Sequence, residues 1–409
     1  MWKVQLFKLN YDHRESEAVK DIVDSGWITM GEKTKEFEDK FADMLGGDIY
    51  ATAVSSATAS LHMALLALDI KSGDEVIIPA LTFVADINVV RMVGATPILA
   101  DCSNYNNWNI TAQTIEEQIT DKTKALILVH FAGYPCEMDE IVELCNRQNI
   151  ALIEDCAHAP DAKYKGQACG TFGDYGCFSF FTNKNLSVGE GGMLTTKSEK
   201  LDQQAKYFRS HGMTALTLDR HKGRAITYDI AQSGLNYRID EMRSSLGLVQ
   251  LDKLDDANRS RKLLVERYIA NLSEVKEFSI PFRDLTNIES VYHIFPILLN
   301  HGIDRVALIG RLKEMGIQSS IHYPAFKDFR AFREIGLNSA PIAEDIATRE
   351  LTLPLYPTMT FDEVDLVCES LKKSLDNLQN SLESETLVPN ITRLKPSVHS
   401  LAKKILGGK

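Results

Sequence analysis

The chain has 409 residues, 44% of them hydrophobic and 25% charged, with a formal net charge of -11. That acidity argues against nonspecific binding to nucleic acid or an anionic membrane face, and no apolar run approaches the ~20 residues that span a bilayer. The first residues lack the apolar core and cleavage site of a signal peptide, so a cytoplasmic location is expected, and the length exceeds what one core usually serves.

From about residue 50 to 200, short apolar, β-branched runs alternate with helical patterns. Strands are predicted at 51–55, 75–78, 96–100, 125–130, 151–154, 177–180 and 192–196, with helices between several of them, including 60–68 and 139–147. Strands alternating with helices imply crossover connections and an α/β fold with a mostly parallel seven-stranded sheet, covered on both faces. Ligands sit at the carboxyl ends of such strands. Residues 240–272 read as one long amphipathic helix. A smaller α+β unit follows, with a strand at 292–299 and a helix at 305–315. The expected division is a large domain over 1–250, a small C-terminal domain over 251–380 and a basic tail over 381–409. From Asn390 onward that tail carries Arg393, Lys395, Lys403, Lys404 and Lys409 without an acid.

The seven cysteines form neither a CxxC pair nor a tight, even framework, and the ten histidines show no paired ligand spacing. Neither a disulfide scaffold nor a metal site is expected.

The informative stretch is 155–192. Asp155 ends a buried strand, and Lys184 follows an aromatic strand into a polar loop next to glycines. A lysine held in a partly desolvated pocket has a lowered pKa and becomes a usable amine nucleophile. Pyridoxal-phosphate (PLP) chemistry asks for such a lysine, for a carboxylate that keeps the pyridine nitrogen protonated, and for a phosphate cradle. Asp155 suits the second role. Ser179, on the strand leading to Lys184, suits the third, and Ser55-Ser56-Ala57-Thr58 lies between a strand and the helix expected from Ser60, where free N–H groups favour phosphate. Phe83, after another strand, suits stacking on the ring. Taken singly, each has a bland reading. Asp155, Ser56 or Thr58 reads as a helix cap, Phe83 as core, Ser179 as a satisfied strand hydroxyl and Lys184 as a surface lysine. Their joint appearance at strand ends favours the chemistry.

Several motifs then stand together: Ser25-Gly26-Trp27-Ile28-Thr29-Met30-Gly31, Ser56-Ala57-Thr58, Glu154-Asp155-Cys156-Ala157-His158, Phe178-Ser179-Phe180 with Lys184-Asn185-Leu186, Gly189-Glu190-Gly191-Gly192, Gly234-Leu235-Asn236-Tyr237-Arg238 and His322-Tyr323-Pro324. With these the chain resembles the DegT/DnrJ/EryC1/StrS sugar aminotransferases, a fold-type I PLP family, over roughly residues 24–378. The resemblance implies that Lys184 carries PLP and that Asp155 pairs with the pyridine nitrogen. His158 would lie near the ring hydroxyl, with Phe83 stacked on the ring. Ala57 (through its backbone), Thr58 and Ser179 would hold the phosphate, and Asn236 would reach it from the neighbouring subunit of a homodimer with shared active sites. Ala57 stands where the family commonly has glycine, which narrows the backbone there. Trp27, Tyr323 and Arg238 are candidate substrate residues, with packing as the other reading for each. The implied reaction moves an amino group from an amino acid, glutamate by resemblance, onto a keto-sugar that is nucleotide-linked. The alternatives are a PLP-dependent sugar dehydratase, in which histidine replaces the lysine, and a non-catalytic regulatory member of the family.

Overall fold

The computed structural model describes residues 1–215 and 227–386. Among these, thirteen strands, β1 to β13 in chain order, form three sheets. The large sheet contains β1 (Tyr50–Val54), β2 (Glu75–Pro79), β3 (Thr96–Ala100), β4 (Thr123–Val129), β5 (Ala151–Asp155), β8 (Tyr175–Ser179) and β9 (Gly192–Thr196). Their order is β1-β9-β8-β5-β4-β2-β3. Only β9 runs antiparallel to its neighbours; the pairs from β8 through β3 are parallel.

Alternate residues of the central strands feed opposite cores. Val76, Ile78, Ile127 and Ile153 pack on one face, and Ile77, Leu126, Leu128 and Leu152 on the other. Burial on both faces is why these strands read as nearly continuous apolar runs rather than as alternating ones. It also leaves the strand ends as the place where polar groups can gather. Val129 and Asp155 sit in register, as do Asp155 and Cys177, so β4 and β5 end at one level and β8 runs two residues further, to Ser179.

The small sheet β10 (Phe278–Ser279), β12 (Phe295–Leu299) and β13 (Glu350–Leu353) is antiparallel and packs with the helices Arg305–Glu314 and Phe361–Thr386 around a second core of Leu308, Ile297, Leu351 and Val367. The third sheet is a minor one of β11 (Ile288–Glu289), β6 (Lys163–Tyr164) and β7 (Gln167–Ala168). Helix Glu241–Leu272 links the cores. Leu248 and Leu254 pack under the large sheet, while Leu264, Tyr268 and Leu272 enter the second core. The division expected at 250/251 therefore lies inside an unbroken helix, and Val4 of the N-terminal segment packs in the second core. Asp240 caps this helix by accepting the Arg243 N–H at 2.9 Å.

Three expected bounds differ by three residues or more. The strand expected from 292 begins at Phe295, because Tyr292 takes a φ of 48° and the His293 N–H donates instead to the Ala132 carbonyl. The last helix runs to Thr386, the last of the described residues, past the break expected near 381. The first crossover helix spans Ala57–Ala67, three residues earlier than expected, because Ser56 caps it: its Oγ accepts the Ala59 N–H at 3.1 Å. The remainder of the expected basic tail, from 387 on, lies outside the described residues.

Candidate active site

The early helix start makes Ala57 and Thr58 its first two residues. Their N–H groups face no intrahelical acceptor and have no partner among the described residues. Ser56, one of the candidate cradle residues, is occupied by capping. The turn is pressed against the start of β9, where a Cβ on Gly192 would lie 2.5 Å from the Ser56 carbonyl carbon and 2.7 Å from the Ala57 nitrogen. Only glycine allows that approach. It brings the helix N-terminus beside Ser179, which pairs with Gly192 across the β8–β9 ladder. Ser179 is buried, and its Oγ accepts the Phe181 N–H at 3.4 Å, which leaves the hydroxyl proton free to be donated.

Asp155, the last residue of β5, is buried and accepts the Ala157 N–H at 2.8 Å. Burial raises its pKa, while that N–H and the Lys184 ammonium oppose the rise. Lys184 lies in the loop after β8, half-buried, and forms no ion pair among the described residues. Burial lowers its amine to about 8, against which Asp155 pulls upward. Such a group is about one-tenth free amine at pH 7, far more than an ordinary lysine.

His158 follows in the turn after β5. Its Nδ1 accepts the Ala132 N–H at 3.3 Å, which sets the ring proton on Nε2, 3.1 Å from the Tyr323 hydroxyl. Burial, then Lys184 and His322, hold its pKa well below the ordinary value, so it is neutral. Phe83, immediately before helix Val84–Met92, is 53% exposed, which excludes the core reading, and its ring centre lies 5.6 Å from that of Tyr323.

The other expected residues are more scattered. Arg238 lies opposite Val54 in a backbone bridge, and the Ser55 N–H donates to the Tyr237 carbonyl at 2.8 Å, so this segment flanks the end of β1. Asn236 is exposed and bridges Ser210. It does not cap the helix that follows, since Asp240 does. Trp27 packs over Gly31, where a Cβ would lie 2.5 Å from its Nε1, at a corner in which Glu241 accepts the Gly31, Lys33 and Thr34 N–H groups. Those contacts place Trp27 at the N-terminal helices rather than beside Lys184.

Several buried groups around the site had not stood out in the sequence. The His293 ring lies tilted against that of His158, 4.4 Å between ring centres, and meets the Asn185 Oδ1 at 3.0 Å through its Nδ1. Behind Tyr323, Glu350 accepts the His322 N–H at 2.7 Å and the Thr352 hydroxyl, and burial pushes its carboxyl up to about 8. Asp86 is a third, in the first turn of helix Val84–Met92 and fully buried. His130 and Glu154, buried beside Cys156, form a hydrogen-bond knot. Glu154 accepts the N–H groups of Gly170, Phe172 and Gly173, and it meets Nε2 of His130, whose Nδ1 accepts the Cys136 N–H. All seven cysteines are free and buried.

An amine that is nucleophilic near neutral pH, set opposite a buried acid and a helix N-terminus with open N–H groups, is equipped for carbonyl chemistry on a phosphorylated aldehyde. The class this defines is that of the PLP-dependent aminotransferases. Residues 10–372 match the model of the DegT/DnrJ/EryC1/StrS aminotransferase family, and the chain belongs to that family. GDP-perosamine synthase of Escherichia coli O157:H7 is 36% identical over 372 residues, covering 90% of this chain and 98% of that protein. The crystal structure of the aminotransferase TlmJ from Streptoalloteichus hindustanus matches with a TM-score of 0.84 at 30% identity, covering 93% of this chain and 100% of that one. Spr1654 from Streptococcus pneumoniae, solved in a PLP form, matches with a TM-score of 0.84 at 28% identity over 92% of this chain and 99% of that one. The cofactor is therefore PLP, and the reaction is transfer of an amino group to a keto-sugar.

Proposed function

We propose that the chain moves an amino group from glutamate to a nucleotide-linked keto-sugar, as a cytoplasmic homodimer whose active sites are shared. The observation that carries the reading is the Lys184 amine, lowered to about 8 and facing buried Asp155 at the strand ends. Bound PLP supplies the electron sink that makes the donor's α-proton acidic, and it carries the amino group between donor and acceptor. Lys184 would hold the cofactor and, once freed as an amine, would serve as general base and then general acid for the 1,3-shift of the donor's α-proton. Asp155 keeps a proton on the ring nitrogen through its negative charge. The N–H groups of Ala57 and Thr58 and the hydroxyl of Ser179 bind phosphate. Phe83 would cover one face of the bound ring, and His158, held neutral and donating to Tyr323, would stand near the ring hydroxyl. Arg238 and Tyr323 border the space left for substrate; Trp27 would reach a substrate only from a neighbouring subunit. The large domain would carry the cofactor, and the smaller C-terminal domain would close over it.

The nucleotide-linked acceptor is supported by the likeness to GDP-perosamine synthase. The dimer is supported by large apolar side chains that one protomer leaves exposed, namely Ile28, Phe83, Phe181, Tyr228 and Ile230. Seven free, buried thiols accord with a reducing compartment. Retention of Lys184 favours transamination over the dehydratase reading.

The test loads the enzyme with pyridoxamine phosphate and offers a panel of nucleotide keto-sugars. At least one should restore the absorbance of the lysine-bound cofactor and yield an amino-sugar. Restoration by keto acids alone would overturn the sugar reading.

A further inference from the structure

Asp86 is the third residue of its helix, where an acid ordinarily faces solvent near the positive end of the dipole. Here it is 0% exposed. One carboxyl oxygen, Oδ2, accepts the Thr82 hydroxyl at 2.6 Å, and the other, Oδ1, has no donor although it is fully buried. The Asp86 carboxyl adjoins that of Asp155, within hydrogen-bonding reach. Two ionised carboxylates offer each other only acceptors, so their contact is repulsive; with one proton between them it becomes a strong hydrogen bond. The partners of the two acids decide which holds that proton. Asp155 has the Ala157 N–H and the field of the Lys184 ammonium, both favouring its anion. Asp86 has the Thr82 hydroxyl alone and forms no ion pair among the described residues. The Cys177 thiol and the Tyr323 phenol, which also face the pair, are themselves held neutral by burial.

We propose that Asp86 is a positioning residue for Asp155: a neutral carboxylic acid whose proton is donated to the Asp155 carboxylate, fixing that carboxylate's orientation and charge toward the cofactor's ring nitrogen. The proposal rests on the reading of Asp155 as the partner of that nitrogen. Burial and the neighbouring Asp155 both push Asp86 well above the usual carboxylate range, in agreement. The arrangement gives Asp86 one donor and one acceptor, which an asparagine amide reproduces and a leucine does not. It also gives Asp155 a second fixed contact besides the Ala157 N–H, so that its charge cannot swing away from the ring.

The experiment uses two variants, Asp86→Asn and Asp86→Leu, and two readouts. In the apoenzyme, carbon-13 NMR of carboxyl-labelled aspartate should show one carboxyl still protonated at pH 7, and Asp86→Asn should abolish that signal. In the holoenzyme, nitrogen-15 NMR of ring-labelled PLP should show a protonated nitrogen in the parent and in Asp86→Asn. Asp86→Leu should lose that signature and bind PLP about tenfold more weakly, the size expected for a lost hydrogen bond to a charged group. A parent apoenzyme with no protonated aspartate would overturn the proposal. So would an Asp86→Leu protein that keeps the parent nitrogen signal, since a merely structural acid would leave it unmoved. If Asp86→Leu does not fold, the apoenzyme signal and its loss in Asp86→Asn decide alone. Failure of the parent to bind PLP would instead strike the assignment of the site, and the apoenzyme arm would still report whether the two acids share a proton.

Discussion

The hydroxyl of Tyr323 meets Nε2 of His158 at 3.1 Å, although 165 residues separate the two in the chain. Because Nδ1 of His158 already accepts a backbone N–H, the histidine donates and the tyrosine oxygen accepts. The phenol proton therefore remains available on the open side, and burial keeps it in place by raising the tyrosine pKa. Tyr323→Phe should lower turnover by about three- to tenfold, the span of one ordinary hydrogen bond, while PLP still binds. Steady-state kinetics beside a cofactor titration checks this; unchanged turnover would make Tyr323 a packing residue.

Capture of PLP by the apoenzyme should follow the free-amine fraction of Lys184. With its amine near 8 rather than at the ordinary 10.5, the capture rate should climb about tenfold per pH unit below that value and level off above it. Stopped-flow absorbance between pH 6 and about 10 distinguishes this from a solvated lysine, whose rate would climb throughout.

Asp155→Asn keeps the shape of the side chain and removes its charge. Turnover should fall by roughly a hundredfold or more, the scale of a lost electrostatic contact to the reacting system, with a much smaller loss of cofactor affinity. Near-parental turnover would mean that Asp155 is a structural acid.

At Gly192 any Cβ meets the Ser56–Ala57 backbone at 2.5 to 2.7 Å. Gly192→Ala should displace the cradle at a cost of about 1–3 kcal/mol, read as a roughly tenfold or greater loss of PLP affinity. An unchanged dissociation constant would remove the helix N-terminus from the phosphate site.

Mixed dimers test the shared site. Lys184→Ala and Asn236→Ala chains, each inactive alone, should recover part of the activity when their subunits exchange, because one of the two sites then escapes both lesions. The backbone beside Asn236 runs along the end of β1 in its own protomer. No recovery despite proven exchange would mean that Asn236 acts within its own chain.

The sequence shows the scaffold better than the contacts between distant segments. All seven strands of the large sheet lie within two residues of where their apolar runs placed them, since burial on both faces writes itself into composition at positions such as Ile77 and Ile127. The helix start at Ala57 was missed because Ser-Ser-Ala-Thr carries no apolar periodicity; the capping bond from Ser56 decides it. Asp86 was invisible for a different reason: an acid in a first helical turn reads as a partner for the dipole, and only the tertiary contact with Asp155 gives it another meaning. His293 likewise depends on Asn185, 108 residues away, for the bond that orients it.

The central claim is that Lys184 carries the cofactor, and borohydride reduction of the holoenzyme followed by peptide mass mapping tests it most directly. The account predicts one phosphopyridoxyl group per chain, fixed on Lys184, and in Lys184→Ala a cofactor that binds through its phosphate but cannot be fixed. Recovery of the group on another lysine, or a protein that takes up no PLP, would contradict it.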